Sequence, residues 1–110
     1  MMHELAIVHG IVESVTERSG GGRILRIVLE IGELATVLPE ALRFCFALAA
    51  EGTLAEGATL DILRIEGLAR CLQCGAQTPM PRPYGQCPCG STNLEFLRGD
   101  ELRIKEMEVA

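Results

Sequence analysis

Four of the five cysteines fall into two tight pairs, Cys71-Leu72-Gln73-Cys74 and Cys87-Pro88-Cys89. Two thiolates gathered by one turn make half of a tetrahedral metal site, and a second such turn supplies the other half. Gly75 and Gly90 follow the pairs. At those positions a positive φ lets the backbone amides turn toward the sulfurs, and glycine takes that conformation without steric cost. Pro79, Pro81, Pro83, Tyr84 and Gly85 fill the interval, a composition that suits a loop and argues against a helix. The expected ion is zinc, held by Cys71, Cys74, Cys87 and Cys89. Four sulfurs leave no open position, so such a zinc is structural rather than catalytic. A disulfide framework fits less well, because an odd cysteine is left over and no signal peptide precedes the pairs. A redox dithiol normally opens a helix, and nothing helical follows Cys74. Cys45, between Phe44 and Phe46, reads as a small buried hydrophobe.

With 110 residues, the chain has room for one small domain and a metal-held lobe too small for a core of its own. Tryptophan is absent, so the core is aliphatic. No run approaches transmembrane length. Within residues 67–99, Arg70, Arg82 and Arg98 stand against Glu95 alone, a balance of +2; the rest of the chain therefore carries −7 of the overall −5. That acidity excludes a phosphate-binding surface and favours protein or metal partners over nucleic acid or membrane. Reduced cysteines and no targeting segment place the expected site of action in the cytoplasm.

Residues 4–18 put Leu5, Val8, Ile11, Val12 and Val15 on one helical face, and Ser19-Gly20-Gly21-Gly22 ends the helix. Residues 23–31 read as a strand with Leu25, Ile27, Leu29 and Ile31 on its apolar face. A second helix begins near Pro39, a favoured early helical position, and buries Leu42, Phe46 and Ala49 before Gly52. Residues 58–66 and 101–109 are strand-like, the last with a slip of apolar phase between Ile104 and Met107. The fold class is α/β: a small three-stranded sheet with two helices, plus an inserted zinc-ribbon-like lobe. The expected division is residues 1–66 with 100–110 as one domain and 67–99 as the lobe, tethered at both ends.

The N-terminus is Met1-Met2-His3-Glu4, and on residue types alone Glu4 is an acidic residue complementing a helix dipole. His9, two turns into the helix, is a surface residue. The Met2-His3-Glu4-Leu5 start, Ile31-Gly32-Glu33-Leu34 after a strand, Pro39 through Phe46, the two cysteine pairs and Gly99 through Val109 follow one another along nearly the whole chain. In that order they resemble the hydrogenase nickel-incorporation family, HypA/HybF.

The resemblance implies a cytoplasmic metallochaperone that binds Ni(II) at its N-terminus and delivers it to the large subunit of nickel-iron hydrogenase with a partner GTPase, HypB. Carried over by motif, the nickel residues are Met2, His3 and Glu4, and the zinc ligands are Cys71, Cys74, Cys87 and Cys89. Two departures stand out. The second cysteine pair of the family is usually Cys-Pro-x-Cys, whereas here only Pro88 separates Cys87 from Cys89. An additional methionine also moves histidine from second to third position when Met1 is retained. Histidine in second position gives fused chelate rings from the terminal amine, one amide nitrogen and the imidazole, with nickel positions left over. In third position a further amide closes a square plane, which suits Ni(II) and Cu(II) but releases metal slowly, so Met2 is the expected biological start.

No nucleophile, base and orienting residue come together, and Gly20 to Gly22 lack the lysine of a P-loop, so the chain reads as a carrier and not an enzyme. The alternative reading is a zinc-ribbon protein- or nucleic-acid-binding module. It would place basic and aromatic residues on the ribbon, where this lobe has three arginines, one tyrosine and one phenylalanine. A monomer and a homodimer are both compatible with the sequence.

Overall fold

A computed structural model describes residues 3–110. Helix α1 spans His3–Arg18, strand β1 Ile24–Gly32, helix α2 Pro39–Ala50 and strand β2 Thr59–Ile65; β3 (Leu68–Cys71), β4 (Gln77–Pro79) and β5 (Leu94–Arg98) follow, and β6 (Leu102–Val109) closes the chain. The strands form two three-stranded sheets, ordered β2-β1-β6 and β4-β3-β5. The last strand thus returns to the first sheet, and the second sheet with its cysteines is an insertion between β2 and β6. The α/β class, both helices and the zinc-ribbon-like lobe match the sequence reading. Among the described residues no helix is long and apolar enough to cross a membrane.

The residues group into two compact units. The first comprises the chain up to Leu29 with Val37–Ile62 and Ile104–Ala110, and the second Glu30–Thr36 with Leu63–Arg103. In the first, α1 packs against α2 and the core contains Val8, Val15, Ile27, Leu29, Leu42 and Phe46. Pro39 is at the helix start, as its fixed φ and missing N–H favour.

Three side chains depart from the expected faces. Leu5 is 43% exposed, and Glu4 takes its place in the buried set with Val8, Ile11, Val12 and Val15. Leu25 is exposed while Ile24 is buried, and Val28, of the same parity as Ile24, is buried along with Ile27 and Leu29, so the middle of β1 is enclosed on both faces. On α2 the stripe runs Leu42, Phe46, Ala50, leaving Ala49 only half-buried. Cys45 is likewise half-buried rather than enclosed. The slip along β6 appears as two exposed residues between the half-buried Ile104 and Met107.

The second unit is organised around β3, which pairs antiparallel with β4 on one side and β5 on the other. The segment after β1 docks on its base. The Gly67 N–H donates to the Glu33 carboxylate (2.9 Å), and the Leu34 N–H donates to the Gly99 carbonyl (2.7 Å). Gly67 is glycine for want of space, since a β-carbon there would lie 1.9 Å from the Met80 carbonyl oxygen. The Met80 N–H also donates to the Gly67 carbonyl, so neither strand can retreat without losing a hydrogen bond. Gly67→Ala is expected to cost about 2 kcal/mol by overpacking and to lower Tm by roughly 8 °C in thermal unfolding of the metal-loaded protein. An unchanged Tm would show that this crossing is loose.

Candidate metal centre

The two cysteine turns are built alike. The Gly75 N–H donates to the Cys71 carbonyl and the Gly90 N–H to the Cys87 carbonyl, with φ of 81° and 97° at the two glycines. Each chain reversal is thus closed by a residue in the conformation that glycine favours. In the first turn, the backbone N–H groups of Gln73 and Cys74 both point at the Cys71 sulfur, each at 3.4 Å. Cys71 terminates β3, where pairing with β4 and β5 fixes its direction. The second pair is held on the loop by the Cys87 N–H donating to the Ser91 carbonyl.

All four sulfurs lie within 4.8 Å of one another. Cys71 Sγ is 3.7 Å from Cys89 Sγ, and Cys74 Sγ is 3.6 Å from Cys87 Sγ. A disulfide needs about 2.05 Å. Tetrahedral thiolates at about 2.3 Å from a zinc ion stand roughly 3.8 Å from each other, so the donor set fits that ion in spacing and chemistry. The tighter Cys87-Pro88-Cys89 bite does not prevent the four sulfurs from meeting. Cys71 and Cys87 are buried while Cys74 and Cys89 are exposed.

Their electrostatics differ. The Cys74 N–H stabilises the Cys71 thiolate against the opposing effect of burial, and with the Gln73 N–H and the neighbouring thiols it lowers the Cys71 pKa to about 6. At Cys87 the Cys89 N–H pulls downward, but burial and the three surrounding thiols outweigh it and raise the pKa to about 12. Four thiols so close together cannot all ionise without a cation between them.

At the other candidate site, Met2 lies outside the described residues. His3 opens α1 and is about half exposed, with Nε2 3.7 Å from Glu4 Oε2, while the Glu4 side chain is fully buried. The Leu38 N–H, just ahead of α2, donates to Glu4 Oε2 at 3.2 Å. Burial pushes the Glu4 carboxyl up, but the Leu38 N–H, its own backbone N–H and the His3 charge together hold it below the usual carboxylate range. The structure therefore brings His3 and Glu4 together, and the four cysteines together. Sequence reasoning missed Leu38, whose contribution is a backbone amide 34 residues away from Glu4; the one local signal is Pro39, which fixes where α2 begins. His9 is exposed, as expected.

Comparison with known proteins identifies the family. The family profile described as hydrogenase/urease nickel incorporation, metallochaperone, hypA matches residues 2–109. The hydrogenase maturation factor HypA of Nostoc punctiforme is 49% identical, over 98% of this chain and 96% of the relative. That of Dechloromonas aromatica is 41% identical, over 98% and 99%. Among solved structures, the Ni metallochaperone HypA from Helicobacter pylori superposes with a TM-score of 0.66 at 25% identity, covering 96% of each chain. A second HypA solution structure gives 0.65 at 27% identity, over 100% and 98%. With the profile matched end to end and the cysteine set and N-terminal pair in place, this chain belongs to the HypA family of hydrogenase maturation factors.

Proposed function

We propose that this protein is a nickel carrier for hydrogenase maturation, which binds Ni(II) through Met2 and His3 beside Glu4 and passes it on without catalysing a reaction. The observation that carries the proposal is the His3–Glu4 pair: a half-exposed imidazole at the chain start, with its Nε2 toward a buried carboxylate that is anchored by the Leu38 N–H. A carboxylate on one ring nitrogen orients a metal-binding histidine and raises its basicity. With Nε2 on the Glu4 side, Nδ1 remains for the backbone chelate. The Leu38 N–H anchors Glu4 through Oε2, and the carboxylate positions His3 and supplies negative charge and an oxygen donor to the nickel.

The zinc reading deepens in the same way: Cys71, Cys74, Cys87 and Cys89 hold a structural Zn(II), on sulfur spacing that suits a tetrahedron. By function, residues 67–99 are the zinc domain and residues 1–66 with 100–110 the nickel domain, although by packing Glu30–Thr36 groups with the former. Delivery is to the large subunit of nickel-iron hydrogenase in the cytoplasm, with the GTPase HypB as partner, since a carrier whose glycines lack the P-loop pattern draws its energy from elsewhere. The reading is supported by the family's description and by relatives named as hydrogenase maturation factors.

Native mass spectrometry of untagged protein titrated with Ni(II), alongside the same protein with one glycine added at its N-terminus, tests this. One retained zinc and one nickel are expected, with nickel binding altered by the glycine, because the added residue moves histidine away from the terminal amine. Retained zinc with no specific nickel would overturn the N-terminal site.

A further inference from the structure

Beside the cysteine cluster, a groove of about 440 Å³ is lined by Pro83, Tyr84, Gly85, Thr92, Leu94 and Phe96. Its floor is the alternate positions 92, 94 and 96, which share one face of the extended chain leading into β5. The register places Phe96 opposite Ala69 and Leu94 opposite Cys71, so this is also the face over which the metal-binding turns lie. The wall is the loop between the cysteine pairs. Two aromatic rings are left in solvent here, Tyr84 at 69% and Phe96 at 40% exposure.

β5 is the outer strand of its sheet and, among the described residues, pairs only with β3. Its other edge carries the main-chain donors and acceptors that recruit an added strand. A strand added there would send every second side chain into the groove, because groove and strand share the same two-residue period. Charge narrows the occupant further. Arg70 is paired with Glu95, and Arg98 with Glu66. Arg82, next to the groove wall, alone among the charged side chains of residues 67–99 has no ion pair among the described residues. Within this chain, Met107 and Val109, which alternate with Glu106 and Glu108, have a matching pattern, but they are half-buried in β6 and already committed to the first sheet.

We propose that the groove along β5 docks an extended segment of a partner protein, carrying two apolar residues two positions apart and an acidic residue that meets Arg82. The segment adds to the β5 edge by main-chain hydrogen bonds, its apolar side chains lie against Tyr84 and Phe96, and its carboxylate pairs with Arg82. This surface is separate from the nickel reading and does not rest on it.

The test uses the full-length, zinc-loaded chain with 15N labelling and a synthetic acetylated threonine nonapeptide, with two leucines two places apart and a glutamate at one end. Two companion peptides have the leucines adjacent or the glutamate replaced by lysine. Saturable amide shifts confined to residues 82, 84, 85 and 92–98 are expected. Binding should fall about ten-fold for the adjacent-leucine peptide and for Tyr84→Ala, each of which removes an aromatic or apolar anchor. Arg82→Glu should invert the charge preference by about five-fold toward the lysine peptide. Both substituted residues are exposed loop residues, and unchanged shifts elsewhere with full zinc content confirm that the variants fold. Absence of saturable shifts, shifts centred elsewhere, or a charge preference unchanged in Arg82→Glu would overturn the proposal. So would the same amides responding to protein concentration alone, which indicates a second copy, or to single-stranded DNA in place of peptide.

Discussion

His3→Ala is expected to abolish specific nickel binding while leaving zinc content and helical signal unchanged. The imidazole is the one strong side-chain donor beside the N-terminus, and losing even an outer partner of a ligating histidine costs about 10–100-fold in metal affinity, so loss of the ring itself should exceed roughly a hundred-fold. His3 is half exposed, which leaves little packing to lose. Glu4→Gln should weaken nickel by about ten-fold or more through loss of charge and ring orientation. Acidification should release nickel as the imidazole takes a proton and amide deprotonation becomes harder. Glu4 itself contributes in a different window. Its carboxyl is held below the usual carboxylate range, so its stabilisation is fully present above that range and is lost as pH falls through the lowered folded pKa. The stability difference between wild type and Glu4→Gln should therefore stay flat from neutral to mildly acidic pH and shrink only at lower pH. Calorimetric nickel titrations of the variants, with denaturant unfolding at each pH, check both. Full nickel affinity in His3→Ala would remove the N-terminal site.

The cysteine turns were readable because their constraint is local: spacing, a following glycine and the conformation it permits all lie within one turn. α2 was readable for the same reason, through Pro39 and its apolar spacing. The first helix shows where hydrophobicity misleads. Extending Val8, Ile11, Val12 and Val15 back by one turn reaches position 4, yet an aliphatic residue at 5 attracts the assignment. The Leu38 N–H helps make a carboxylate tolerable inside, and that partner comes from a distant part of the chain. The short strands of the second unit had no sequence alternation to announce them. β4 is three residues ending in proline, and pairing through β3 is what defines it. Contacts such as Glu33 with Gly67 are likewise set by chain return. The family likeness supplied what physics on residue types could not, namely that an ordinary-looking Met-His-Glu start is a nickel candidate.

Removing the bound metal should unfold the lobe of residues 67–99 and spare most of the first unit. Residues 67–99 contribute few enclosed apolar side chains, Ala69 and Met80 with the sulfurs of Cys71 and Cys87 being the buried ones, so the metal stands where a core would otherwise be. Binding to structural cysteine sites is worth about 10–16 kcal/mol in apparent free energy, as large as the total stability of a typical domain at about 5–15 kcal/mol. α1, α2 and their aliphatic core do not draw on those sulfurs. Chelation should therefore abolish hydrogen-exchange protection along β3 and β5 while amides of both helices remain protected and helical dichroism persists. The pH dependence has a definite sign. Cys71, lowered to about 6, is already a thiolate at neutral pH, but Cys87, raised to about 12 in the metal-free cluster, must give up its proton when the ion enters. Metal uptake at neutral pH thus releases protons, and affinity should rise steadily with pH and fall on acidification. Cys89→Ser, exposed and at the tighter pair, should reproduce the chelation result at stoichiometric metal. Equal protection of β3 with and without metal would mean that the lobe folds on its own packing, and simultaneous loss of the helices would mean that the two units share one cooperative transition.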